Sequence, residues 1–203
     1  MNRLFWRLHQ IDPARPEPKR LQYPGNREAL AAYLREQTGL QAELARDEVA
    51  DLSRFSESID AMTARIVGRI NDLGSTLPTV PGCAELTAAK LIAETANVDR
   101  FPNDSAFAKY GGFAPIPQWS GSTAGRLRAS RSGNRQINTA IHRIAVVQLR
   151  LDCAGRDYYQ RRRAEGDSGA TVLRCLKRRL CRVVFNCLRV DYARRTAVGP
   201  AVG

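Results

Sequence analysis

The chain has 203 residues, 43% of them apolar, so it is long enough to bury a core of its own in one or two domains. Its formal charge of +12 points to a polyanionic partner. No run approaches the roughly 20 apolar residues of a spanning helix, which argues against a membrane protein. The charge is uneven: residues 1–27 carry +4, 28–100 carry −5, 101–119 are neutral and 120–203 carry +13. Only Lys19, Lys90, Lys109 and Lys177 of the 32 basic residues are lysines. Arginine forks match phosphate oxygens bidentately, although a GC-rich genome also enriches arginine without functional cause.

Residues 1–27 hold Pro13, Pro16, Pro18 and Pro24 among charged residues and read as an extended basic arm or linker. They contain no long apolar stretch followed by a cleavage site and so do not form a convincing signal peptide. Asn26 is placed to cap the helical stretch that starts at Glu28. Residues 28–76 read as a helical, coiled-coil-like region, with Thr38-Gly39 dividing a shorter helix from a longer one. From Leu52 the apolar residues Phe55, Ile59, Met62, Ile66, Ile70 and Leu73 recur at steps of three and four, making one seam. That seam either packs within the chain or pairs with another copy as a homo-oligomer.

Residues 77–190 then form a compact helical domain, and the fold class expected for the whole is all-α. Val80-Pro81-Gly82-Cys83-Ala84 is a Pro-Gly turn between two helical patterns, the second from Leu86 to Thr95, and resembles a helix-hairpin-helix element. In such an element the turn presents backbone N–H groups and the positive end of a helix dipole to a phosphate, gripping the backbone without reading sequence. The usual second glycine is replaced by Ala84, and an ordinary helix corner is the competing reading of Gly82. A short helical pattern over Ser105 to Tyr110 stops at Gly111-Gly112, where Pro115 and Pro117 prevent a restart.

Next comes Gln118-Trp119-Ser120-Gly121-Ser122-Thr123-Ala124-Gly125, a glycine- and hydroxyl-rich stretch followed by Arg126, Arg128, Arg131 and Arg135. A serine exposed among phosphate-holding cations suits attack on a phosphodiester, but serine needs a proton acceptor, and no histidine or carboxylate lies nearby in sequence. On the residues alone Ser120 reads first as a loop hydroxyl, and as a nucleophile Ser122, Ser130 and Ser132 are equal candidates. Asn134 to Leu151 reads as a helix capped by Asn134, with Ile137, Ile141, Ile144 and Gln148 on one face. Arg161, Arg162 and Arg163 follow Tyr158-Tyr159, an aromatic and basic cluster suited to a backbone and a stacked base, or else a solvated face. A last helix from Ala170 to Val190 buries Val172, Leu176, Leu180, Val183 or Val184, and Cys187, leaving Lys177 and Arg178 for the binding surface. Residues 191–203 read as a disordered tail. The five cysteines contain no CxxC pair and, with only His9 and His142 beside them, point to buried thiols in a reducing cytoplasm rather than to disulfides or a metal site.

Three blocks in fixed order, PGCAELTAAKLIAE, RFPNDSAFAKYGGFAP and SGSTAGRLRASRSGNRQINTAI, closely resemble the C-terminal domain of insertion-sequence transposases of the one-ten family, with its one-sixteen and nine-oh-two relatives. The resemblance covers about residues 77–190, and the preceding helix resembles that family's coiled coil. It implies a bacterial, nucleoid-associated DNA recombinase that works through a serine–DNA intermediate and, in characterised members, uses a structured guide RNA. The family's nucleophile, in the Ser-Gly pair after the Ala-Pro block, falls on Ser120. The family also carries an N-terminal RuvC-like domain whose four acidic residues bind magnesium, and residues 1–27 contain nothing able to form it. The chain itself is therefore expected to hold no cofactor, magnesium entering only with that acidic domain, and to bind DNA with little or no recombination activity alone. A non-catalytic nucleic-acid-binding protein or transposase remnant is the alternative.

Overall fold

A computed structural model describes residues 3–117, 127–129 and 132–197. The chain divides into two compact units, residues 1–65 and 66–203. The fold class is all-α, as the sequence predicts, with one small two-stranded ribbon in the second unit.

The first unit contains α1 (Arg3–Ile11), α2 (Pro24–Arg35) and the greater part of α3 (Leu40–Asp72). Its core is small: Leu4 and Leu8 from α1, Leu30 and Leu34 from α2, and Ala45 and Val49 from α3. The expectation of an extended arm over residues 1–27 is thus corrected at both ends. Leu4 and Leu8 stand one turn apart, so residues 3–11 gain by coiling and burying that stripe, and the prolines at 13, 16 and 18 lie beyond the helix they would break. Pro24 begins α2, where its missing N–H costs nothing. Asn26 sits inside that first turn and is no cap; its Nδ2 donates to the carbonyls of Lys19 and Arg20. The link between α1 and α2 is fastened by Arg27, a buried guanidinium that donates to the carbonyls of Leu21 and Gln22 and to Ser53 Oγ. Gly39, at φ +94°, makes the break between α2 and α3.

The second unit begins with the last turns of α3 and continues through a 3-10 turn (Leu77–Thr79), α4 (Glu85–Thr95), a second 3-10 turn (Val98–Arg100) and α5 (Asp104–Tyr110). Strands β1 (Pro115–Pro117) and β2 (Leu127–Ala129) pair antiparallel, Ile116 opposite Arg128, before α6 (Arg135–Gln148), α7 (Ala154–Ala164) and α8 (Gly169–Ala197). Helices α4, α5, α6 and α8 enclose one core, in which Phe107 stacks edge-on with Phe101 at 5.3 Å and leans on Phe185 at 5.6 Å.

Along α8 the buried row is Val172, Leu176, Leu180, Val184 and Leu188, with Cys181 and Phe185 beside it. Val184, not Val183, therefore faces inward, and Leu188 takes the deep position expected of Cys187, which is only half-buried. The expected tail is also corrected: α8 runs to Ala197 because Asp191, buried at 2% exposure, holds the chain just after α3. Its carboxylate accepts from Thr76 N and from Ser75 Oγ, the latter at 2.8 Å.

In the α3 seam only Ile70 is buried, whereas Leu52, Phe55, Ile59, Met62, Ile66 and Leu73 are 38–59% exposed.

Candidate nucleic-acid interface

The Pro-Gly turn is built by packing. Leu77 and Val80 plug into the core, and the Pro81 carbonyl accepts a hydrogen bond from Gln148 Nε2 at 2.8 Å. Gly82 adopts φ +83°, and a Cβ there would stand 3.0 Å from the Ile144 carbonyl oxygen and 3.2 Å from Val147 Cβ. The glycine is thus demanded by the approach of α6. Helix α4 starts just beyond it at Ala84, whose side chain offers no cap, and its first residues line an open cavity of about 720 Å³ together with His142 and Arg143. The turn therefore pairs an uncapped helix start, which carries Glu85 in its first turn, with one cation from a neighbouring helix.

A second arrangement holds the two chain segments that lead into and out of residues 118–131. Asn103 Oδ1 caps α5 by accepting from Ala106 N, and α5 ends at Gly111-Gly112. Gly112 (φ +74°) and Gly133 (φ +112°) cross so closely that a Cβ on Gly133 would lie 2.6 Å from Gly112 N, and one on Gly112 2.5 Å from the Ser132 carbonyl. Only glycine tolerates both the backbone conformation and the contact. The crossing is pinned by Asn134 N donating to the Tyr110 carbonyl at 2.7 Å and by Asn138 Nδ2 donating to the Gly111 carbonyl at 3.0 Å.

Asn134 does cap α6, accepting from Gln136 N and Ile137 N at 2.9 Å each. Its Nδ2 donates to Glu94 Oε2 at 2.7 Å and to Tyr110 Oη at 3.2 Å. The bond from Asn134 is the main reason, ahead of the bond from Arg100, that the Tyr110 hydroxyl is more acidic than usual. Arg100 lies over the rings of both Phe101 and Tyr110, 4.5 Å from each centroid. Glu94, Tyr110 and Arg100 were not found from the sequence. Glu94 is 40 residues from Asn134 along the chain, and no local spacing signals that the fold brings a carboxylate to this stem.

Ser120, Arg126 and Arg131 lie outside the described residues, and of Arg128 only the backbone, in β2, is described. Arg135 opens α6 and is exposed. On α7, Arg161 and Arg163 are exposed, Arg161 lying 3.9 Å from Glu165 and Arg163 donating to the Asp167 carbonyl, and Arg162 pairs with Asp167 and Glu165. Tyr158 lies between Arg161 and Arg179, whose guanidinium is 4.1 Å from its ring centroid. On α8, Arg178 and Arg182 each reach Asp104 Oδ2 at 3.1 Å. The bond from Arg182, then that from Arg178, holds the Asp104 carboxyl below its usual range. The sequence thus overcounts free cations, because neighbouring carboxylates, Glu165 and Asp167, claim Arg162, and a distant one, Asp104, claims Arg178.

Burial pushes the Cys83 and Cys181 thiols up to about 12, which removes both as nucleophiles near neutral pH. Among the described residues no group of three or more His, Cys, Asp or Glu side chains is arranged to hold a metal ion. No described helix is long and apolar enough to cross a membrane.

Residues 74–160, from the end of α3 through most of α7 and including the Pro-Gly turn and the glycine crossing, match the model of the Transposase IS116/IS110/IS902 family. This segment belongs to that transposase family. The chain is similar to the 43.6 kDa protein of insertion element IS110 from Streptomyces coelicolor, with 32% identity over 69% of this chain and 35% of the relative. It is also similar to the 42 kDa protein of insertion element IS900 from Mycobacterium paratuberculosis, with 32% identity over 57% and 29%. A third relative is the 44.8 kDa protein of IS116 from Streptomyces clavuligerus, with 26% identity over 60% and 30%. The chain spans about a third of the length of these curated relatives. Arg161, Arg162, Arg163, Lys177 and Arg178 fall beyond the transposase-family match.

Proposed function

We propose that this chain is the DNA-binding, nucleophile-bearing part of an insertion-sequence transposase, with Ser120 as the attacking hydroxyl. The observation that supports this reading best is the crossing of Gly112 and Gly133. It ties both ends of the serine-bearing segment to rigid helices inside the family-matched residues, as a nucleophile needs if it is to meet a phosphorus atom in line. In the proposed step Ser120 Oγ bonds to the phosphorus of a DNA phosphodiester and loses its proton to water, while the bond from phosphorus to the leaving sugar oxygen breaks and that oxygen takes up a proton. A strand hydroxyl then reverses the exchange and frees the serine.

The uncapped start of α4 beside Arg143, together with Arg135, Arg161 and Arg163, suits phosphates and is indifferent to base sequence. The exposed α3 seam suits pairing with a second copy. Phosphoryl transfer of this kind draws on divalent metal to neutralise the developing charge. In this reading the metal comes with a separate acidic domain, and the chain alone binds DNA with little or no strand-joining activity.

Two measurements test this reading. In a salt titration of duplex binding, log affinity falls steeply with log salt; a flat line refutes DNA binding. With donor DNA, target DNA, magnesium and any cognate guide RNA, the chain alone gives no joined products. Supplied in trans with a metal-binding acidic domain, it gives products that disappear in Ser120→Ala. Joined products that persist in that variant refute the serine assignment, and products from the chain alone that vanish in it refute the inactivity.

A further inference from the structure

Lys177 is the one lysine of α7 and α8. It is half-buried, lies 5.3 Å over the ring of Phe113, and donates from Nζ to Asn138 Oδ1 at 3.2 Å. The same Asn138 amide donates to the Gly111 carbonyl at the glycine crossing. Lys177 therefore reaches the fork where the chain departs toward Ser120 and returns.

No described carboxylate pairs with Lys177. Residues 118–131 contain neither Asp nor Glu, so the segment springing from this fork brings no side-chain counter-charge. The next cation along, Arg178, is already committed to Asp104. Burial lowers the Lys177 pKa, since the ammonium has lost part of its water with no carboxylate in return. An ammonium in this setting gains more from an incoming anion than an exposed one, because the local dielectric is lower and no resident anion must be displaced. Asn138 holds the head group in place, and the Phe113 ring lies against it on another side.

We infer that Lys177, oriented by Asn138 beside the Gly112–Gly133 crossing, is an anion subsite that takes a non-bridging oxygen of a bound DNA phosphodiester. This rests on the DNA-binding reading above and adds a specific group to it. A point charge, unlike an arginine fork, accommodates a phosphate in more than one orientation. Sequence pattern alone left Lys177 with Arg178 for the binding surface and gave no reason to separate the two.

The test uses the full chain and duplex DNA. Lys177→Gln and Lys177→Met remove the charge and keep most of the stem. Each lowers the magnitude of the slope of log affinity against log salt by about 1, whereas Arg161→Gln, on an exposed face, serves as the comparison for a peripheral charge. A purely structural role leaves the slope unchanged, and that result overturns the subsite. As a readout that needs no variant, the four lysines allow acetylation footprinting by mass spectrometry. DNA at low salt slows modification of Lys177 several-fold, and equal rates with and without DNA overturn the proposal. Protection by a single-stranded RNA but not by DNA also overturns it, because the subsite is assigned to the DNA strand. If the parent chain shows no salt-dependent DNA binding, the broader reading fails; if it binds and the Lys177 variants keep its slope, only the subsite fails.

Discussion

The two units of this chain treat their apolar residues in opposite ways. The second closes α4, α5, α6 and α8 over a continuous core in which Phe107, Ile137, Ile141, Ile144 and Val184 are wholly buried. The first buries a handful of side chains from three helices and leaves Leu52, Phe55, Ile59 and Met62 in water along α3. The difference teaches that the same periodicity, apolar residues at steps of three and four, carries two meanings. In α6 and α8 it builds the monomer, and in α3 it marks a surface.

Phe107→Ala strikes the comparison where the effect is largest. The ring is fully buried and touches Phe101 and Phe185, so its removal leaves a cavity that helices on several sides cannot close together. A loss of about 3–5 kcal/mol is expected from urea unfolding of the second unit. A loss below about 1 kcal/mol would mean that this core repacks freely and is no more specific than the first unit's.

That contrast also explains what the sequence made legible. The caps and stops were readable because their signals are local: Asn134 before α6, Gly39 between α2 and α3, and Gly111-Gly112 after α5. The inward row of α8 was readable to within one residue, since a helical stripe only one residue wide leaves Val183 and Val184 indistinguishable until a partner face is known. Helix α1 was obscured by the prolines just beyond it, and the ordered end of α8 by the lack of any local sign that Asp191 would hold Thr76. In the candidate site, Gly82 carried a signal that packing against α6 explains as well as phosphate does. Glu94, Asn138 and Lys177 meet the glycine crossing only through the fold, since the polar contacts that assemble them join residues 27 to 40 positions apart.

A smaller effect is expected at the surface of the second unit, where Asp104 ties α5 to Arg178 and Arg182. Arg182 is 67% exposed, so solvent discounts the pair; Asp104→Asn lowers stability at neutral pH by about 0.5–1 kcal/mol. The lowered carboxyl pKa sets the sign of the pH dependence. The contribution is present above the unfolded value of about 3.9 and fades as pH falls through the lower folded value. Thermal melts of parent and variant therefore separate at pH 7 and converge in strong acid, and a gap that persists there would assign the effect to packing rather than charge.

The smallest change in intrinsic stability is expected from the α3 seam itself. Phe55, Ile59 and Met62 are each more than half exposed, so replacing all three with serine removes little burial that the lone chain possesses. In dilute solution the triple variant should match the parent within roughly 0.5 kcal/mol. If the seam is where two copies meet, association adds stability that grows with protein concentration, and the parent's melting temperature then climbs on concentration while the variant's stays flat. Sedimentation gives the matching result, with a dimer mass for the parent and a monomer mass for the variant. A parent that stays monomeric with a concentration-independent melt would leave the seam as solvated surface. A variant that loses several kcal/mol in dilute solution would mean that these side chains support the monomer, and the contrast between the two units would no longer hold.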